Sequence, residues 1–304
     1  MNNQKTLKES IEFNGLGLHT GKKVCLVIIP ARENHGIKFQ RIDLPGAPIV
    51  PADIDLVKDT QRSTTLELNN VKIITVEHLM SALYALGVNN VLVKMNNSEV
   101  PILDGSAKIF VDEIQKVGLK DQNAPLKFIN LPNPINYSDF ESGAEILFVP
   151  ANNFILSVVL DYQNPVLGTQ YAEIRNLENY PEEIAPCKTF VLLTELEKLA
   201  QANLIKGGDL QNAIVLVDRD EIKIQEIKKL AHLLGKDDTD IQVNGNVLNN
   251  CELQFFNEPA RHKLLDVIGD LALIGMPIMG HIITKKPGHK LNTSFAQILK
   301  KAMK

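Results

Sequence analysis

The sequence predicts an α+β protein made of two similar domains, each with a β-sheet packed on helices. Runs of alternating or β-branched residues, which are typical of strands, occur in both halves of the chain. In each half, a helix with a histidine near its start then precedes a strand, a turn and another helix. The polar stretch 118–125 separates the halves, so we expect domains at residues 1–125 and 126–304. We expect the helices to lie between the two sheets and a functional site to lie at the domain interface.

The first half contains four runs that predict strands, at residues 23–30, 37–42, 71–76 and 90–95. Residues 77–86 carry apolar side chains at every third or fourth position, and Gly87 follows where a helix commonly ends. A second helix is predicted from about Ala107 to Val117, because Asp104-Gly105-Ser106 supplies a turn and a helix cap.

The second half contains five such runs, at residues 126–137, 144–149, 154–162, 170–174 and 280–284. One helix is predicted to begin near His262 and to end by Gly275, and the last to run from about Thr293 to Met303. Two segments have no counterpart in the first half. They are an apolar insertion at about 191–217 and a charged, turn-rich insertion at about 218–256, and insertions of this kind often carry binding specificity.

Bulk composition excludes several classes of protein. The net charge of −4 over 304 residues gives no basic surface of the kind that nucleic-acid binding needs, so we expect no nucleic-acid partner. The start of the chain lacks the apolar core of a signal peptide, and no 18-residue uncharged apolar run occurs. We therefore expect a cytoplasmic protein without an integral membrane segment. Three widely spaced cysteines argue against a disulfide framework and against a cysteine-type zinc site.

The segment 261–270 concentrates ionisable residues in an otherwise apolar helix. His262 and Asp266 are four residues apart, so they lie on one helix face, and Asp270 lies one turn further. His262 and Asp266, together with His78, supply three nitrogen and oxygen ligands and leave a fourth position open, which is typical of a catalytic zinc site. Glu77 is then placed to take a proton from water at the metal. The alternative is an amphipathic helix whose charges face solvent.

Five runs of the sequence resemble one family. They are similar in order and spacing to runs of the UDP-3-O-acyl-N-acetylglucosamine deacetylases, bacterial zinc amidases that catalyse the committed step of lipid A biosynthesis. The resemblance covers essentially the whole chain. The runs are residues 15–21 (GLGLHTG), 75–79 (TVEHL), 101–107 (PILDGSA), 261–271 (RHKLLDVIGDL) and 288–292 (GHKLN).

The resemblance implies a role for each matching residue. It implies that Zn²⁺ is held by His78, His262 and Asp266 and that Glu77 is the general base. It implies that His289, kept cationic by Asp270, stabilises the oxyanion or protonates the leaving amine, with Thr189 as an oxyanion donor and Lys263 near the substrate. The residues expected at the substrate are Lys286 at the diphosphate, Tyr162 near the uracil, and Leu18, Phe190 and Gly208.

The implied substrate is UDP-3-O-(3-hydroxyacyl)-N-acetylglucosamine, which yields acetate and the free amine. Two alternatives stay open: a zinc amidohydrolase for another nucleotide sugar, and a non-catalytic binding module. For the leucines of residues 191–217, two roles stay open: they line a passage for the acyl chain, or they only pack a helix onto its sheet. For run 15–21, the alternatives are a turn between strands and a part of the pocket rim. Some family members are fused to a 3-hydroxyacyl-(acyl carrier protein) dehydratase, so the resemblance also allows such a fusion in the full-length protein. Acyl-chain length, oligomeric state and zinc versus iron stay open.

Overall fold

The computed structural model describes residues 3–161, 163–164, 166–201, 206–209, 211–219, 225–226, 228, 243–244, 246–248 and 253–303. Its helices are α1 (Glu77–Ala85), α2 (Lys108–Val117), α3 (Tyr180–Glu183), α4 (Leu193–Gln201), α5 (Glu258–Ala272) and α6 (His289–Ala302). The strands of the first half are β1 (Asn3–Leu7), β2 (Ile11–Leu16), β3 (Lys23–Pro30), β4 (Ile37–Arg41), β5 (Ile49–Pro51), β6 (Val57–Asp59), β7 (Thr65–Leu68), β8 (Val71–Ile73), β9 (Val91–Met95) and β10 (Leu119–Pro125). Those of the second half are β11 (Ile129–Asn130), β12 (Ile135–Asp139), β13 (Ala144–Val149), β14 (Phe154–Asp161), β15 (Thr169–Ile174), β16 (Phe190–Leu192), β17 (Ile214–Leu216), β18 (Val243–Asn244), β19 (Val247–Leu248) and β20 (Ile278–Lys285).

The two large sheets share one topology. Their strand orders are β2-β3-β9-β4-β5 and β12-β13-β20-β14-β15, and β11 also pairs with β20. In each sheet the central strand, β9 or β20, is antiparallel to one neighbour and parallel to the other, and both outer pairs are antiparallel. One helix precedes each central strand and another follows it. This repetition confirms the prediction of two similar α+β units, whereas the boundary at residue 125 stays a prediction.

Helix α5 is central to the molecule. Every residue of α5 except Arg261 and Lys263 is buried, which is typical of a helix covered on all sides. It packs against α1 of the first half, against β14 and β15, and against α6. The buried apolar residues of both large sheets and of these helices form one continuous core. The charges of α5 are therefore not a solvated face, so the amphipathic-helix alternative is wrong.

A close approach between α1 and α5 depends on one glycine. A Cβ atom on Gly269 would lie 2.0 Å from the carbonyl oxygen of Glu77. Any larger residue would have to push the backbone of α1 away, because the neighbour is main chain rather than a flexible side chain. Glu77 and His78 are therefore set against α5 by direct helix–helix contact.

Several predicted elements agree closely with the structure. Strands β3 and β13 have the predicted bounds, and α1 and α2 differ from prediction by one residue at one end. Helix α5 begins at Glu258, four residues before His262, with Pro259 in its first turn, where proline is favoured. Likewise α6 begins at His289 rather than at Thr293.

Two sequence predictions about strands are wrong, and one strand was not predicted. The run 71–76 is a strand only to Ile73, because Thr75 has a φ of +59°, which no extended strand adopts. The run 126–137 is divided into β11 and β12, since Pro132 and Pro134 lie between them and cannot donate backbone hydrogen bonds. The unpredicted strand is β10, which occupies most of the polar stretch 118–125, pairs with β1 and points most of its polar side chains outward.

The insertion at 191–217 contains the end of β16, helix α4 and β17, and β17 joins the small sheet β16-β17-β19-β18. Most of the second insertion, 218–256, falls outside the described residues. No helix in the described part of the chain has both the length and the apolar character that crossing a membrane requires. A cytoplasmic location stays a prediction.

Candidate metal centre and active site

Three buried ligand side chains converge where α1 meets α5. His78 is the second residue of α1, and His262 and Asp266 lie one turn apart on α5. One ligand atom from each lies within 4.8 Å of the others. Asp266 Oδ1 is 3.4 Å from His262 Nε2 and 3.8 Å from His78 Nε2, which is too long for strong hydrogen bonds. Two ligands on a tetrahedral Zn²⁺ are roughly 3.3 Å apart, so this spacing fits a shared ion of that size.

The protonation states of these three residues also fit a metal site. His262 Nδ1 donates to the carbonyl oxygen of Cys187 at 3.0 Å, which leaves the Nε2 lone pair free to face Asp266. Burial lowers the pKa of His262, and burial together with His262 lowers the pKa of His78 to about 3, so both rings are neutral at pH 7. Burial favours a protonated Asp266, but the Lys263 ammonium group and the cationic His289 ring outweigh burial and hold the pKa of Asp266 well below its ordinary value. Neutral imidazoles and an ionised carboxylate are the forms that bind metals.

Glu77 lies beside this cluster with its carboxylate held in place. Oε2 accepts a hydrogen bond of 3.0 Å from the backbone N–H of Thr64, and Oε1 lies 3.9 Å from His289 Nε2. Burial raises the pKa of Glu77 to about 7; the His289 charge opposes this shift, and the carboxylates of Asp270 and Asp266 add to it. A carboxylate with a pKa near neutrality can accept a proton from water and release it again, as a general base must.

His289 is the cationic counterpart of Glu77. Its Nδ1 donates to Asp270 Oδ2 at 2.9 Å, and Asp270 is fully buried. Asp270 also accepts hydrogen bonds from Thr64 Oγ1 at 2.5 Å and from Asn292 Nδ2 at 2.9 Å, so its charge is fixed in position. Burial lowers the pKa of His289, but the Asp270 carboxylate and its hydrogen bond outweigh burial and raise that pKa to about 9. The imidazole is therefore protonated at pH 7 and can donate from Nε2 toward the cavity.

A second positive charge comes from Lys263. Its Nζ lies 2.8 Å from Asp266 Oδ2 and 5.3 Å from the centre of the Phe190 ring. Burial lowers the pKa of this ammonium group, but Asp266 more than compensates and raises it. An ammonium group and an imidazolium thus lie near the carboxylates, where each can stabilise a developing negative charge.

The segment that carries Thr189 is anchored by main-chain contacts. The Thr189 N–H donates to Gly105 O at 2.7 Å, and the Ile214 N–H donates to Thr189 O at 2.8 Å. Gly105, with φ +83°, packs so closely that a Cβ would lie 1.8 Å from Asn212 O. These contacts hold residues 187–190 against α5, where the Cys187 carbonyl meets His262.

The three candidate ligands open onto one cavity of about 280 Å³, together with Glu77, Lys263, Thr189 and His289. One part of its lining is polar and consists of Glu77, His78, His262, Lys263, Asp266 and His289 together with Thr75, Thr189 and His19. Arg62 and Glu195 also line it and form an ion pair of 2.6 Å across 133 residues of chain. The remaining lining is mostly apolar and comes largely from the 191–217 insertion: Leu18, Ile102, Phe190, Val191, Leu196, Leu199, Ala213 and Val215.

Comparison with known proteins now places this geometry in a family. The chain matches the family described as LpxC, UDP-3-O-acyl N-acetylglycosamine deacetylase, over residues 4–231 and 219–301. It belongs to this family. The UDP-3-O-acyl-N-acetylglucosamine deacetylases of Teredinibacter turnerae and Chlamydia caviae are each 38% identical to it, over 99% and 97% of this chain and 90% and 95% of their own lengths.

The chain is also similar to longer proteins. The protein named bifunctional enzyme LpxC/FabZ of Bacteroides thetaiotaomicron is 46% identical over 99% of this chain. Its counterpart of the same name in Porphyromonas gingivalis is 41% identical over the whole chain. The chain spans 65% of the length of each of these two LpxC/FabZ proteins.

Most of the residues expected at the site are brought together by the fold. The three expected ligands line the cavity with Glu77, His289, Thr189 and Lys263, and Asp270 lies directly behind His289. Of the expected substrate contacts, Leu18, Phe190 and Gly208 line it too, so run 15–21 is both a strand turn and part of the rim. Lys286 does not line the cavity; it is half-buried, three residues before His289. Tyr162 falls outside the described residues. The roles of all these residues stay predictions.

Sequence reasoning missed the groups that support these residues. Thr64 bonds both Glu77 and Asp270, but no motif marks it, because it lies more than ten residues from either. The partner of His262 is a backbone carbonyl, which any residue could supply. Asn292 had a signal, since it lies three residues after His289 and therefore on the same face of α6.

Proposed function

We propose that this protein hydrolyses the N-acetyl group of UDP-3-O-(3-hydroxyacyl)-N-acetylglucosamine, releasing acetate and the glucosamine amine, as a zinc-dependent deacetylase of lipid A biosynthesis. One observation carries the proposal. A buried two-histidine, one-aspartate cluster shares a single apolar-lined cavity with a carboxylate of raised pKa and an imidazolium of raised pKa. Amide hydrolysis needs a base for water, an acid for the amine and positive charge at the carbonyl oxygen.

Zn²⁺ held by His78, His262 and Asp266 would supply a Lewis acid that polarises the amide carbonyl and lowers the pKa of water. The donor set of two neutral imidazoles and one carboxylate suits zinc, which prefers nitrogen and oxygen ligands in a tetrahedral arrangement. The second carboxylate oxygen of Asp266 is engaged by Lys263, so its first oxygen is oriented toward the two rings.

Glu77 starts the reaction by taking a proton from the attacking water. Its hydrogen bond from Thr64 holds one carboxylate oxygen and leaves the other facing the cavity and His289. As the water oxygen bonds to the carbonyl carbon, the carbonyl π electrons move onto the carbonyl oxygen. Lys263, His289 and the Thr189 hydroxyl are the groups available to stabilise that negative charge.

His289 completes the reaction by protonating the leaving amine. When the C–N bond breaks, its electron pair stays on nitrogen, and a proton from His289 Nε2 makes the product a neutral amine. Asp270 keeps the imidazole protonated until that moment and orients it through Nδ1. Glu77 and His289 thus begin with opposite protonation states, the usual division between base and acid.

The apolar lining supports an acyl substrate. Leu196 and Leu199 of α4 face the cavity rather than serving only to pack the helix on its sheet. Each methylene buried there contributes about 0.8 kcal/mol of binding, so a long chain would add strongly to affinity. This supports the acyl-passage alternative for the 191–217 insertion.

Two measurements test the proposal. Protein purified without added zinc should contain close to one equivalent of metal, and His78→Ala should contain far less. Acetate release should be fast with the 3-O-acylated nucleotide sugar and much slower without the acyl group. Equal rates on both would favour an amidohydrolase for another nucleotide sugar, and absence of both metal and turnover would favour a binding module.

A further inference from the structure

Glu99 is a buried carboxylate outside the groups that the mechanism uses. Its side chain is 1% exposed and lies four residues after β9. Its backbone is held beside Ile74, since Ile74 N–H donates to Ser98 O and Val100 N–H donates to Ile74 O. A buried carboxylate is costly unless hydrogen-bond donors compensate its charge, so the donors around it show what it organises.

Two of those donors belong to the loop that joins β2 to β3. The backbone N–H groups of His19 and Thr20 donate to Glu99 Oε1 and Oε2 at 2.9 and 2.8 Å. The loop passes so close that a Cβ on Gly17 would lie 2.3 Å from Glu99 Oε2. Leu18 and His19 of this loop line the cavity, so the carboxylate determines where this wall lies.

The third donor is Thr75, two residues before the catalytic base. Its hydroxyl donates to Glu99 Oε1 at 3.1 Å, and its φ of +59° is strained for a β-branched residue. Such a conformation persists only when surrounding contacts impose it. One carboxylate therefore holds both the rim loop and a strained cavity residue.

The same loop supports the insertion across the cavity. Gly207 N–H donates to Leu18 O at 3.0 Å, and a Cβ on Gly207 would lie 2.1 Å from Gly17 O. Gly208, the next residue, lines the cavity. A displacement of the loop would therefore also release the insertion from its backbone contact.

We propose that Glu99 is a positioning residue for substrate binding, which fixes the Gly17–Thr20 loop as a wall of the cavity through its contacts with His19, Thr20 and Thr75. This inference rests on the proposed function for its kinetic consequence. Glu77 is held independently, by Thr64 N–H and by the packing of α1 on Gly269. Loss of the Glu99 contacts should therefore weaken substrate binding more than it slows the chemical step.

The test is Glu99→Gln, which keeps the shape of the side chain. An amide has one acceptor oxygen, so in either orientation its NH₂ group must face at least one of the two backbone N–H donors. We expect KM for the acylated nucleotide sugar to rise about tenfold, which corresponds to a loss of about 1.4 kcal/mol of binding free energy. The metal content should stay at one equivalent and kcat should change less than KM.

Gly17→Ala disturbs the same contact from the other side, because its new methyl group would meet the Glu99 carboxylate. It should reproduce the rise in KM, and the double variant should be little worse than the poorer single variant, since both remove one interaction. Asn90→Ala is the matched control. Asn90 is 1% exposed, bonds Gly36 N–H, Gln4 and Gln122, and lies at the far end of β9.

Hydrogen exchange gives a readout that does not depend on activity. The His19 and Thr20 amides should exchange at least about tenfold faster in Glu99→Gln, and not in Asn90→Ala, if the carboxylate holds them. Unchanged exchange, a KM within twofold of wild type, or an equal rise of KM in Asn90→Ala would each overturn the proposal. If the wild-type protein fails to deacetylate, the proposed function fails, and exchange alone then decides the role of Glu99.

Discussion

The substitution Asp270→Asn tests the acid half of the mechanism. Asp270 Oδ2 accepts from two donors, His289 Nδ1 and Asn292 Nδ2, whereas Oδ1 meets the Thr64 hydroxyl. An asparagine can place its oxygen at the first position and its NH₂ group against the hydroxyl, which can itself accept a hydrogen bond. The shape and the hydrogen bonds are then preserved, and the negative charge is lost.

The magnitude follows from the pKa of His289. Asp270, with smaller contributions from Glu77 and Asp266, raises that pKa from the ordinary 6.5 to about 9 against the effect of burial, a difference worth about 3 kcal/mol. A group with a pKa of about 9 is about nine-tenths protonated at pH 8, but only about 3% protonated if its pKa falls to 6.5. We therefore expect about a thirtyfold loss of kcat/KM at pH 8 from the protonation state alone.

The direction in which the pH profile shifts distinguishes this mechanism from a general loss of active protein, which would lower activity equally at all pH values. The proposed acid must be protonated, so activity is present below the pKa of His289 and is lost as pH rises through it. The proposed base must be ionised, so activity is lost as pH falls through the pKa of Glu77, which is about 7. In Asp270→Asn the alkaline limb, which follows the pKa of His289, should move down by two pH units or more.

The assay is kcat/KM for the acylated substrate between pH 5 and 10, with NMR titration of the His289 ring in parallel. Thr64→Val is the matched control: it removes the hydroxyl that donates to Asp270 but keeps the carboxylate and the backbone N–H that holds Glu77. Its alkaline limb should stay near that of wild type. The reasoning is refuted if Asp270→Asn loses activity equally at all pH values with the alkaline limb in place.

Three further predictions concern the base, the helix contact and the acyl passage. Glu77→Gln should lower kcat by about 10²–10⁴ with metal content unchanged, and a loss below tenfold would show that another group is the base. Gly269→Ala should lower the free energy of unfolding by about 1–3 kcal/mol, because its methyl group would lie 2.0 Å from the Glu77 carbonyl oxygen. Denaturant titration measures this change, and a stability equal to that of wild type would contradict the prediction. Leu199→Ala should lower kcat/KM about tenfold for the acylated substrate but not for the acyl-free one, and equal losses on both would indicate packing alone.

The architecture could be predicted because it depends on local patterns. Alternation and β-branched runs located β3 and β13 with their correct bounds, and apolar spacing located α1. The predictions failed where the backbone rather than the side-chain pattern decides. Thr75 ends a strand through a positive φ, and β10 is polar yet forms a strand because β1 supplies its partners. A strand's partners lie elsewhere in the chain, so composition alone cannot reveal them.

The chemistry of the site divides in the same way. The motifs did predict which residue types converge at the candidate metal site, because the spacing of His262 and Asp266 places both on one helix face whatever surrounds that helix. Their protonation states were not readable, since these depend on burial and on charges brought from distant segments. Asp270 keeps His289 protonated, Thr64 orients Glu77, and the Cys187 carbonyl sets the His262 tautomer. Electrostatic energies depend on distance in space, and only the packing of α1 against α5 brings these groups within a few ångströms of one another.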